Sequence, residues 1–523
     1  MGMSLNFVTD VIAGQLSPVA PDKPALACGE EPALTWADFR DTELRYAQAL
    51  CRAGVVKGDR VGLLLRNSTD YVCMFFACAR AGAIAVRANW RLTAREIQFA
   101  LTDSETTTLV FDAEFAESLA TIRSEIPVKR YVVRDDGQPA PDWAVPLATF
   151  AAGPSETAGL PEVGLDDPVS LMYTSGTTGT PKGAVCTHAN LMWMAAVQAQ
   201  KWKIDSTSVA HTAGPAFHAG GFEALLLPAL TRHGTVVMSP SGGFTVANFM
   251  AAARKHGSTN VLLYPSMVSD LLSSGDPTQL FPPSIKQIVT GGDIVAPSLY
   301  DRLATVFPGV RLDQTYGLTE GGLFNACLDF EDARGHESSI GRPHEMSEIK
   351  VVREDSSLTD PDEIGEILVR NGGTSAGYWR RPDANAETFV DGWCRTGDLG
   401  RVSPDGFLYI AGRAKDMIRS GGENVYPAEV EMIITSHDDV GDAAVIGVPD
   451  DKYAEVGMAL IVARQGREID VEQLRSYLLE RLAKFKVPRY FRIVDELPRN
   501  ASGKILKKIL REQYKDIQSG ETA

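Results

Sequence analysis

The sequence predicts an α/β protein with more than one domain, on three observations. The chain has 523 residues, which is more than a single hydrophobic core usually spans. From residue 57 to about residue 316, strand-like and helix-like segments alternate, which is typical of largely parallel sheets. From residue 348 the pattern changes to short strands with turns, and after residue 415 to a compact α+β module. We therefore expect a large N-terminal domain with parallel sheets and a small β-rich subdomain, followed by a small α+β C-terminal domain.

Each element follows from hydrophobic periodicity and from the turn residues that bound it. Strands are predicted at RVGLLLR (60–66), AIAVRA (83–88), TLVF (108–111), VSLMYT (169–174), NVLLYP (260–265), IKQIVTGG (285–292), EIKVVR (348–353), GEILVR (365–370) and FLYIAG (407–412). Helices are predicted at TDYVCMFFACARAG (69–82), from Thr93, across AEFAESLATIRSEI (113–126) and in the basic segment ILKKILREQY (505–514).

The composition is ordinary for a globular enzyme, with 44% hydrophobic and 23% charged residues. A net charge of −16 argues against nucleic acid as a partner. The longest apolar run, 71–86, is shorter than the ~18 residues of a membrane span and contains Arg80. The first residues lack the basic region of a secretory signal, and seven cysteines without CxxC spacing favour reduced thiols. We expect a cytoplasmic enzyme with no integral membrane segment.

The run YTSGTTGTPKG (173–183) predicts a loop that binds nucleotide phosphates. It follows a strand and precedes a helix that begins near Thr187. Successive small residues leave bare amides that form a concave nest for phosphate oxygens, and the hydroxyls add donors. Lys182 supplies a positive charge for the outer phosphates. A Walker A loop needs Ser or Thr after its GK pair, whereas Gly183 follows Lys182, so a P-loop NTPase is excluded.

The same run resembles the signature of the adenylate-forming acyl-CoA synthetases, the superfamily that includes firefly luciferase and the adenylation domains of peptide synthetases. Six further blocks match in the family's order: PAFHAGG (215–221), TGGD (290–293), QTYGLTE (314–320), WCRTGD (393–398), GRAKDMIRSGGENVYP (412–427) and RNASGK (499–504). The resemblance implies ATP as the ligand of the loop, with Mg²⁺ and coenzyme A, and the joining of a carboxylic acid to CoA through an acyl-adenylate. It also implies an AMP-binding N-terminal domain (1–414) and a mobile C-terminal domain (415–523) that carries the adenylation lysine.

The resemblance implies four catalytic residues. Lys504 in RNASGK matches the lysine that bridges the carboxylate and the α-phosphate. Glu320 in GLTE matches the carboxylate that holds Mg²⁺, and Thr319 beside it matches the hydroxyl donor to the α-phosphate. His218 matches a residue at the wall of the acyl pocket, near the carboxylate.

The resemblance also implies the residues that hold the nucleotide. The phosphate loop comprises Thr174, Ser175, Gly176, Thr177, Thr178, Gly179 and Lys182. The adenine and ribose contacts comprise Gly291, Gly292 and Asp293 at the adenine edge, Thr315, Tyr316 and Gly317 in the block whose tyrosine stacks on the base, and Asp398 and Arg413 at the ribose.

The C-terminal domain is implied to hinge at Lys415. In its second pose the loop that contains Gly421, Gly422 and Glu423 would line the pantetheine tunnel. Between Lys484 and Arg511 the chain has nine Lys or Arg and only two acids. Because this domain approaches ATP and then CoA, we interpret that segment as an anion-binding lobe rather than a solvated basic face.

The acyl group is expected to be bulky. Gly317 lies where acetate-activating members carry a tryptophan that closes the pocket. Four other glycines, Gly220, Gly221, Gly321 and Gly322, are also interpreted as leaving room. A medium- or long-chain or ring-bearing acid is therefore favoured over acetate.

Two departures from the family pattern and one competing motif stand out. Cys394 replaces a frequent aromatic residue, and Arg87 replaces a frequent proline without an evident function. Residues 373–377, GTSAG, match the nucleophile elbow of serine hydrolases. An elbow needs a helix directly after its serine, and Pro382 is interpreted as unfavourable to one, so a hydrolase is disfavoured.

Three alternatives stay open beside a CoA ligase. An adenylating enzyme that loads a separate carrier protein would share the first half-reaction, and a luciferase-type oxidase is formally compatible. A non-enzymatic nucleotide-binding protein is disfavoured because Lys182, Glu320, Asp398 and Lys504 are all present. The oligomeric state, a homodimer included, is left open.

Overall fold

The structure is a computed structural model that describes residues 19–174, 181–274, 281–292, 295, 297–336, 338–420, 423–450, 453–499 and 505–515. Its strands are β1 Pro24–Cys28, β2 Leu34–Thr35, β3 Arg60–Leu64, β4 Ile84–Arg87, β5 Thr108–Asp112, β6 Arg130–Arg134, β7 Val145–Pro146, β8 Pro168–Thr174, β9 Lys182–Thr187, β10 Val209–Thr212, β11 Thr235–Met238, β12 Asn260–Leu262, β13 Gln287–Gly291, β14 Arg311–Tyr316, β15 Ala326–Leu328, β16 Arg342–Pro343, β17 Ser347–Val352, β18 Gly365–Asn371, β19 Phe389–Val390, β20 Trp393–Val402, β21 Leu408–Arg413, β22 Ile418–Ser420, β23 Glu423–Val425, β24 Val440–Asp450, β25 Ala454–Ala463 and β26 Tyr490–Ile493.

Its α-helices are α1 Trp36–Arg52, α2 Thr69–Arg80, α3 Ala94–Asp103, α4 Ala116–Ile122, α5 Leu147–Phe150, α6 His188–Lys201, α7 Ala219–Phe222, α8 Leu226–Thr231, α9 Val246–His256, α10 Pro265–Ser273, α11 Pro297–Val306, α12 Pro382–Thr388, α13 Pro427–Thr435, α14 Val471–Leu479 and α15 Lys507–Gln513. Among the described residues, no helix is both long enough and apolar enough to cross a membrane.

Two large sheets with mainly parallel strands form the first part of the chain. One has the strand order β16-β15-β14-β13-β12-β10-β11-β1-β2, and the other has the order β7-β6-β5-β3-β4-β8-β9. Strands β10 to β14 pair in parallel with one another, as do strands β3 to β8, whereas β15 and β9 join β14 and β8 antiparallel. Because parallel strands end at the same edge, the loops after β12, β13 and β14 lie side by side, where open α/β sheets bind ligands.

Two smaller sheets follow. Strands β17 to β21 form the predicted β-rich subdomain, in which each strand pairs antiparallel with its neighbours. Strands β22 to β26 form the sheet of the C-terminal module, on which α13 and α15 pack. The predicted α/β class, with a large first part and a small last part, is confirmed.

The largest core cluster joins the two parallel sheets through the helices between them. Helix α2 shows why the sequence favours this arrangement, because residues Thr69 and Tyr71 to Ala79 are all buried and a helix that is apolar all round has to lie inside. Phe75 packs against Phe222 of α7 with ring centroids 4.5 Å apart. Side chains from strands β1, β3, β11 and β13 belong to the same cluster, so the ligand edge of the sheets is supported by one continuous core.

Candidate active site

The predicted phosphate loop connects two antiparallel strands. In the register of β8 and β9, Thr174 lies opposite Lys182. The predicted loop residues Ser175, Gly176, Thr177, Thr178 and Gly179 fall outside the described residues. Strand β9 leads from the loop to the helix that was predicted near Thr187, and this helix, α6, begins at His188. The helix boundary itself is as predicted, since the Thr187 side chain accepts a hydrogen bond from Asn190 N and caps the helix.

Glu320 lies where the end of β8 meets the segment that precedes α12. Its Oε1 atom accepts hydrogen bonds from the Thr174 hydroxyl at 2.8 Å and the Tyr378 phenol at 3.1 Å. Burial, followed by the charge of Glu320, raises the pKa of Tyr378, so this phenol remains a protonated donor. The Glu320 residue is itself 8% exposed. The carboxylate is thus fixed in direction through Oε1, while neither of these contacts uses Oε2.

Asp398 is the centre of a second polar cluster. Its Oδ2 atom accepts a hydrogen bond from the Tyr316 phenol at 2.6 Å, and its Oδ1 atom lies 2.6 Å from Arg413 Nε. Asp398 lies within β20 opposite Arg413 of β21 and is 6% exposed. Burial and then the Asp398 charge raise the pKa of Tyr316 well above its ordinary value. The predicted adenine-stacking and ribose-binding residues therefore form one hydrogen-bonded unit.

Glycine is required where β13 ends beside β14. A Cβ atom on Gly291 would lie 2.5 Å from the Thr315 carbonyl oxygen, and Gly292 has φ +84°, a conformation that favours glycine. The Thr315 hydroxyl is buried and has no hydrogen-bond partner among the described residues. Asp293 lies outside the described part of the chain. This edge brings bare backbone and an available hydroxyl to the place where ligands bind in such sheets.

His218 precedes the short helix α7 and caps it. Its Nδ1 atom accepts a hydrogen bond from Gly220 N at 3.1 Å, so the neutral ring carries its proton on Nε2. Arg87 and Glu223 form a buried ion pair behind this turn, and Arg87 Nη2 also donates to Ala216 O at 2.6 Å. Arg87, which had no role in the sequence reasoning, therefore ties β4 to the segment that carries His218.

Four of the five glycines that were interpreted as leaving room for the acyl group are packing positions instead. An added Cβ atom would lie 1.5 Å from Leu323 O at Gly317, 2.1 Å from Pro215 O at Gly221, 2.6 Å from the Leu318 side chain at Gly321 and 2.5 Å from the Gly373 carbonyl carbon at Gly322. The backbone already fills the space at Gly317, so a tryptophan there would force the turn to rebuild. A nearby internal cavity, lined by Thr319 among others, holds about 20 Å³, roughly one water molecule. These four glycines therefore give no support to a bulky acid.

Comparison with known proteins shows the family of the chain. The family model described as AMP-binding enzyme matches residues 17–379, and the model of the AMP-binding enzyme C-terminal domain matches residues 429–504. The chain belongs to the AMP-binding enzyme family. This AMP-binding enzyme is 36% identical to a feruloyl-CoA synthase of Amycolatopsis over 482 residues, which cover 92% of this chain and 94% of that protein. It is 33% identical to a long-chain-fatty-acid–CoA ligase of Mycobacterium tuberculosis over 497 residues, 94% and 96% of the two chains.

Solved structures share the architecture over almost the whole length of the AMP-binding enzyme. An anthranilate CoA ligase in complex with anthranoyl-AMP aligns with a TM-score of 0.90 and 26% identity, covering 98% of each chain. An o-succinylbenzoate CoA synthetase from Bacillus subtilis, in complex with its acyl-adenylate intermediate, aligns with a TM-score of 0.85 and 32% identity, covering 99% of each chain. The family predicted from the motifs is confirmed.

The C-terminal module of the AMP-binding enzyme places the predicted hinge on the surface. Lys415 is exposed within a single 3₁₀ turn, Ala414–Asp416, between β21 and β22. Asp416 forms an ion pair with Arg511 of α15 at 2.7 Å. Glu423 begins β23 and is exposed. The predicted adenylation lysine, Lys504, and the loop glycines Gly421 and Gly422 lie outside the described residues.

The basic segment 484–511 is less positive in the fold than in the sequence. Five of its basic side chains form ion pairs with acids that precede the segment: Lys486 with Glu429, Arg489 with Asp450, Arg499 with Asp442, Lys507 with Glu431 and Arg511 with Asp416. Counting only the acids inside the segment overestimated its charge. The interpretation as an anion-binding lobe therefore loses its compositional support.

Ser375 in the elbow-like motif is a structural residue. It is 8% exposed, and its hydroxyl lies 2.8 Å from Val185 O and 3.0 Å from Gly377 O. The chain after it runs along β9, with Tyr378 bridged to Ala184, instead of entering a helix. Pro382 was expected to be unfavourable to a helix, and this expectation is wrong. Pro382 begins α12, since proline suits the first helical turn.

Tyr264 and Tyr378 lie beside candidate site residues and were not predicted from the sequence. Tyr378 directly follows the elbow-like motif GTSAG (373–377). Tyr264 lies two residues after the end of β12 and therefore at the same edge as Gly291 and Thr315. A signal for it was present, because NVLLYP was predicted as a strand of a parallel sheet, and the residues at the carboxyl end of such a strand belong to the ligand edge.

Proposed function

We propose that this AMP-binding enzyme is an ATP-dependent acid–CoA ligase. It would convert a carboxylic acid, ATP and CoA into acyl-CoA, AMP and pyrophosphate through an acyl-adenylate. The observation that carries the proposal is the buried carboxylate of Glu320, which two hydrogen bonds hold in one direction. It follows β14, the strand that ends at Tyr316 of the Tyr316–Asp398–Arg413 cluster. The similarity to proteins named as acyl- and aryl-CoA ligases supports the same conclusion.

In the first step, a carboxylate oxygen of the acid attacks the α-phosphorus of ATP. The bond between the α-phosphorus and the bridging oxygen breaks, and pyrophosphate leaves. Two anions must meet, so the enzyme has to neutralise charge in a fixed geometry. We propose that Lys504 bridges the two reacting groups and that the Thr319 hydroxyl donates a hydrogen bond to the α-phosphate. The removal of one such preorganised contact typically costs ~10²–10³ in rate.

Glu320 fits a role as the Mg²⁺ ligand. Mg²⁺ is commonly held by one or two carboxylates together with substrate phosphates, and the Glu320 carboxylate is held at Oε1 by two neutral donors that leave its charge uncompensated. The ion, when bound, would supply positive charge to the phosphates. The chain's own contribution is to keep the carboxylate pointing in one direction and largely shielded from water.

Nucleotide recognition is proposed for the Asp398 cluster and the strand edge. Asp398 would accept hydrogen bonds from the ribose hydroxyls while Arg413 balances its charge. Tyr316, held by its phenol on Asp398, would present its ring to adenine. Gly291 and Gly292 would let the base approach the backbone. Asp293, next to them, is also proposed to lie at the adenine edge.

In the second step, the CoA sulfur attacks the acyl carbonyl carbon, the bond to AMP breaks, and the thiol proton leaves to solvent. We propose that residues 415–523 rotate about Lys415 between the two steps, so that Lys504 withdraws. The loop with Gly421, Gly422 and Glu423 would then face the pantetheine chain. The exposure of Lys415 in a single 3₁₀ turn suits a hinge, because few contacts have to break there.

A separate carrier protein is the second candidate acceptor. A fatty acid–[acyl-carrier-protein] ligase of Streptomyces coeruleorubidus is 32% identical over 507 residues, 94% of both chains. We further propose a cytoplasmic location, supported by seven free cysteines. A panel of carboxylic acids, assayed for ATP-dependent pyrophosphate release with CoA, with a carrier protein and with neither, tests the proposal. Thioester formation on CoA supports a CoA ligase, whereas thioester on the carrier alone favours the second candidate.

A further inference from the structure

The side chain of Tyr264 projects across the ligand edge of the larger sheet. A methyl group placed on Gly292 would lie 3.8 Å from its ring atoms Cδ1 and Cε1. At the other end of the ring, a methyl group on Gly220 would lie 3.2 Å from the Tyr264 hydroxyl oxygen and 3.4 Å from His218 Nδ1. The ring therefore spans from the end of β13, proposed for adenine, to the turn that carries His218, proposed for the acyl group.

The Tyr264 hydroxyl is buried and has no hydrogen-bond partner within the described part of the chain. Burial raises the pKa of Tyr264 to about 12, so the phenol is a neutral donor and acceptor at physiological pH. A buried polar group without a partner costs ~1–3 kcal/mol. Buried tyrosine hydroxyls usually have a partner, and this one lies where the proposed acid would bind.

We infer that Tyr264 selects acids whose acyl part carries a hydrogen-bonding oxygen, such as a hydroxyl or methoxy group, over plain hydrocarbon acids. The inference rests on the proposed function and narrows its substrate class. An oxygen on the acyl part would satisfy the Tyr264 hydroxyl, whereas a hydrocarbon chain would bury it unpaired. A site built to bond a substrate oxygen discriminates strongly against the analogue that lacks it.

The experiment compares pairs of acids that differ by one oxygen. The first set is 3-phenylpropenoic acid and its ortho-, meta- and para-hydroxy forms, and the second is octanoic acid and omega-hydroxyoctanoic acid. Acid-dependent pyrophosphate release gives kcat/KM for the wild type, for Tyr264→Phe and for Tyr131→Phe. Tyr131 is the matched control, because its hydroxyl is also buried without a partner in the described structure, but it packs against Trp143 beside a different sheet.

In the wild type, we expect an oxygenated acid to exceed its plain counterpart by at least about tenfold. Tyr264→Phe should lower kcat/KM for that acid by about 10–100-fold, mainly through KM, and change the plain acid by less than about threefold. Tyr131→Phe should change neither value. Thermal unfolding of Tyr264→Phe should show no loss of stability, since the substitution removes an unpaired hydroxyl.

Two results would overturn the inference alone. One is a higher kcat/KM of the wild type for the plain acid in every pair. The other is an equal loss of kcat/KM for both members of a pair in Tyr264→Phe, which would mean that the hydroxyl serves the shared carboxylate or only the fold. If the wild type released pyrophosphate with no acid at all, the proposed function would fail, and this inference with it.

Discussion

Glu320→Gln tests whether the buried carboxylate acts through its charge. Glutamine keeps the shape, and its Oε1 atom can still accept from Thr174 and Tyr378, which lie at 2.8 and 3.1 Å. Each bond changes from charge-assisted to neutral, at about 1 kcal/mol apiece, so stability should fall by no more than ~2 kcal/mol. Adenylation should fall by ~10²–10³, or about 2.7–4 kcal/mol of barrier, because the proposed metal loses its anionic ligand.

The assay is acid-dependent pyrophosphate release across a Mg²⁺ titration, with thermal unfolding measured beside it. Tyr378→Phe is the control, because it removes one hydrogen bond to Glu320 but keeps the charge, and it should cost only about fivefold, or ~1 kcal/mol. Near wild-type activity of Glu320→Gln at limiting Mg²⁺ would refute the reasoning. So would an equal loss in the two variants, since position rather than charge would then decide the rate.

Four further predictions concern other parts of the enzyme. Asp398→Asn should raise the KM for ATP about tenfold, because Arg413 and the ribose lose their charged partner; an unchanged KM would exclude Asp398 from the nucleotide site. Lys504→Ala should abolish pyrophosphate release yet still convert supplied acyl-adenylate and CoA into thioester, and loss of both half-reactions in a folded protein would make the lysine structural. Lys415→Pro should keep single-turnover adenylation within about tenfold (roughly 1.4 kcal/mol) but lose most CoA-dependent turnover, since proline fixes φ; equal effects on the two rates would move the hinge elsewhere. Desolvation lowers the pKa of buried His188 from 6.5 to about 4, so between these pH values the unfolded chain takes up a proton that the folded chain does not. The free energy of unfolding should therefore fall by at most roughly 3 kcal/mol as pH falls from 6.5 to about 4. A flatter pH dependence of urea unfolding in His188→Leu would support this assignment, and an unchanged slope would contradict it.

Local patterns predicted the elements well wherever a single periodicity dominated. Helix α2 and strands β3 and β4 were predicted because their apolar runs match a buried helix and buried strands. Thr93 was predicted at a helix start and caps α3, as its hydroxyl suits the first free amides. The segment 113–126 was predicted as one helix but contains α4 flanked by 3₁₀ turns, a distinction that periodicity does not resolve.

The errors arose where distant segments meet. The room attributed to Gly317 is filled by the backbone of Leu323, a contact that depends on how the turn folds back. The charge of the segment 484–511 is partly compensated by acids that precede it in sequence, such as Asp442 and Asp450 of β24. Arg87 appeared unexplained because its partner Glu223 is 136 residues away in sequence. Motif spacing proposed Tyr316 and Asp398 as site residues, but only the fold showed that they bond to each other.

The fate of a carboxylate oxygen tests the central claim most directly. The acid is labelled with heavy oxygen in its carboxylate and incubated with the enzyme, ATP and CoA, and the products are analysed by mass spectrometry. If the carboxylate attacks the α-phosphorus, one labelled oxygen must appear in AMP when the thiol displaces it, with unlabelled pyrophosphate beside it. Label in inorganic phosphate together with ADP, or thioester formed with unlabelled AMP, would contradict an acyl-adenylate and with it the proposed function.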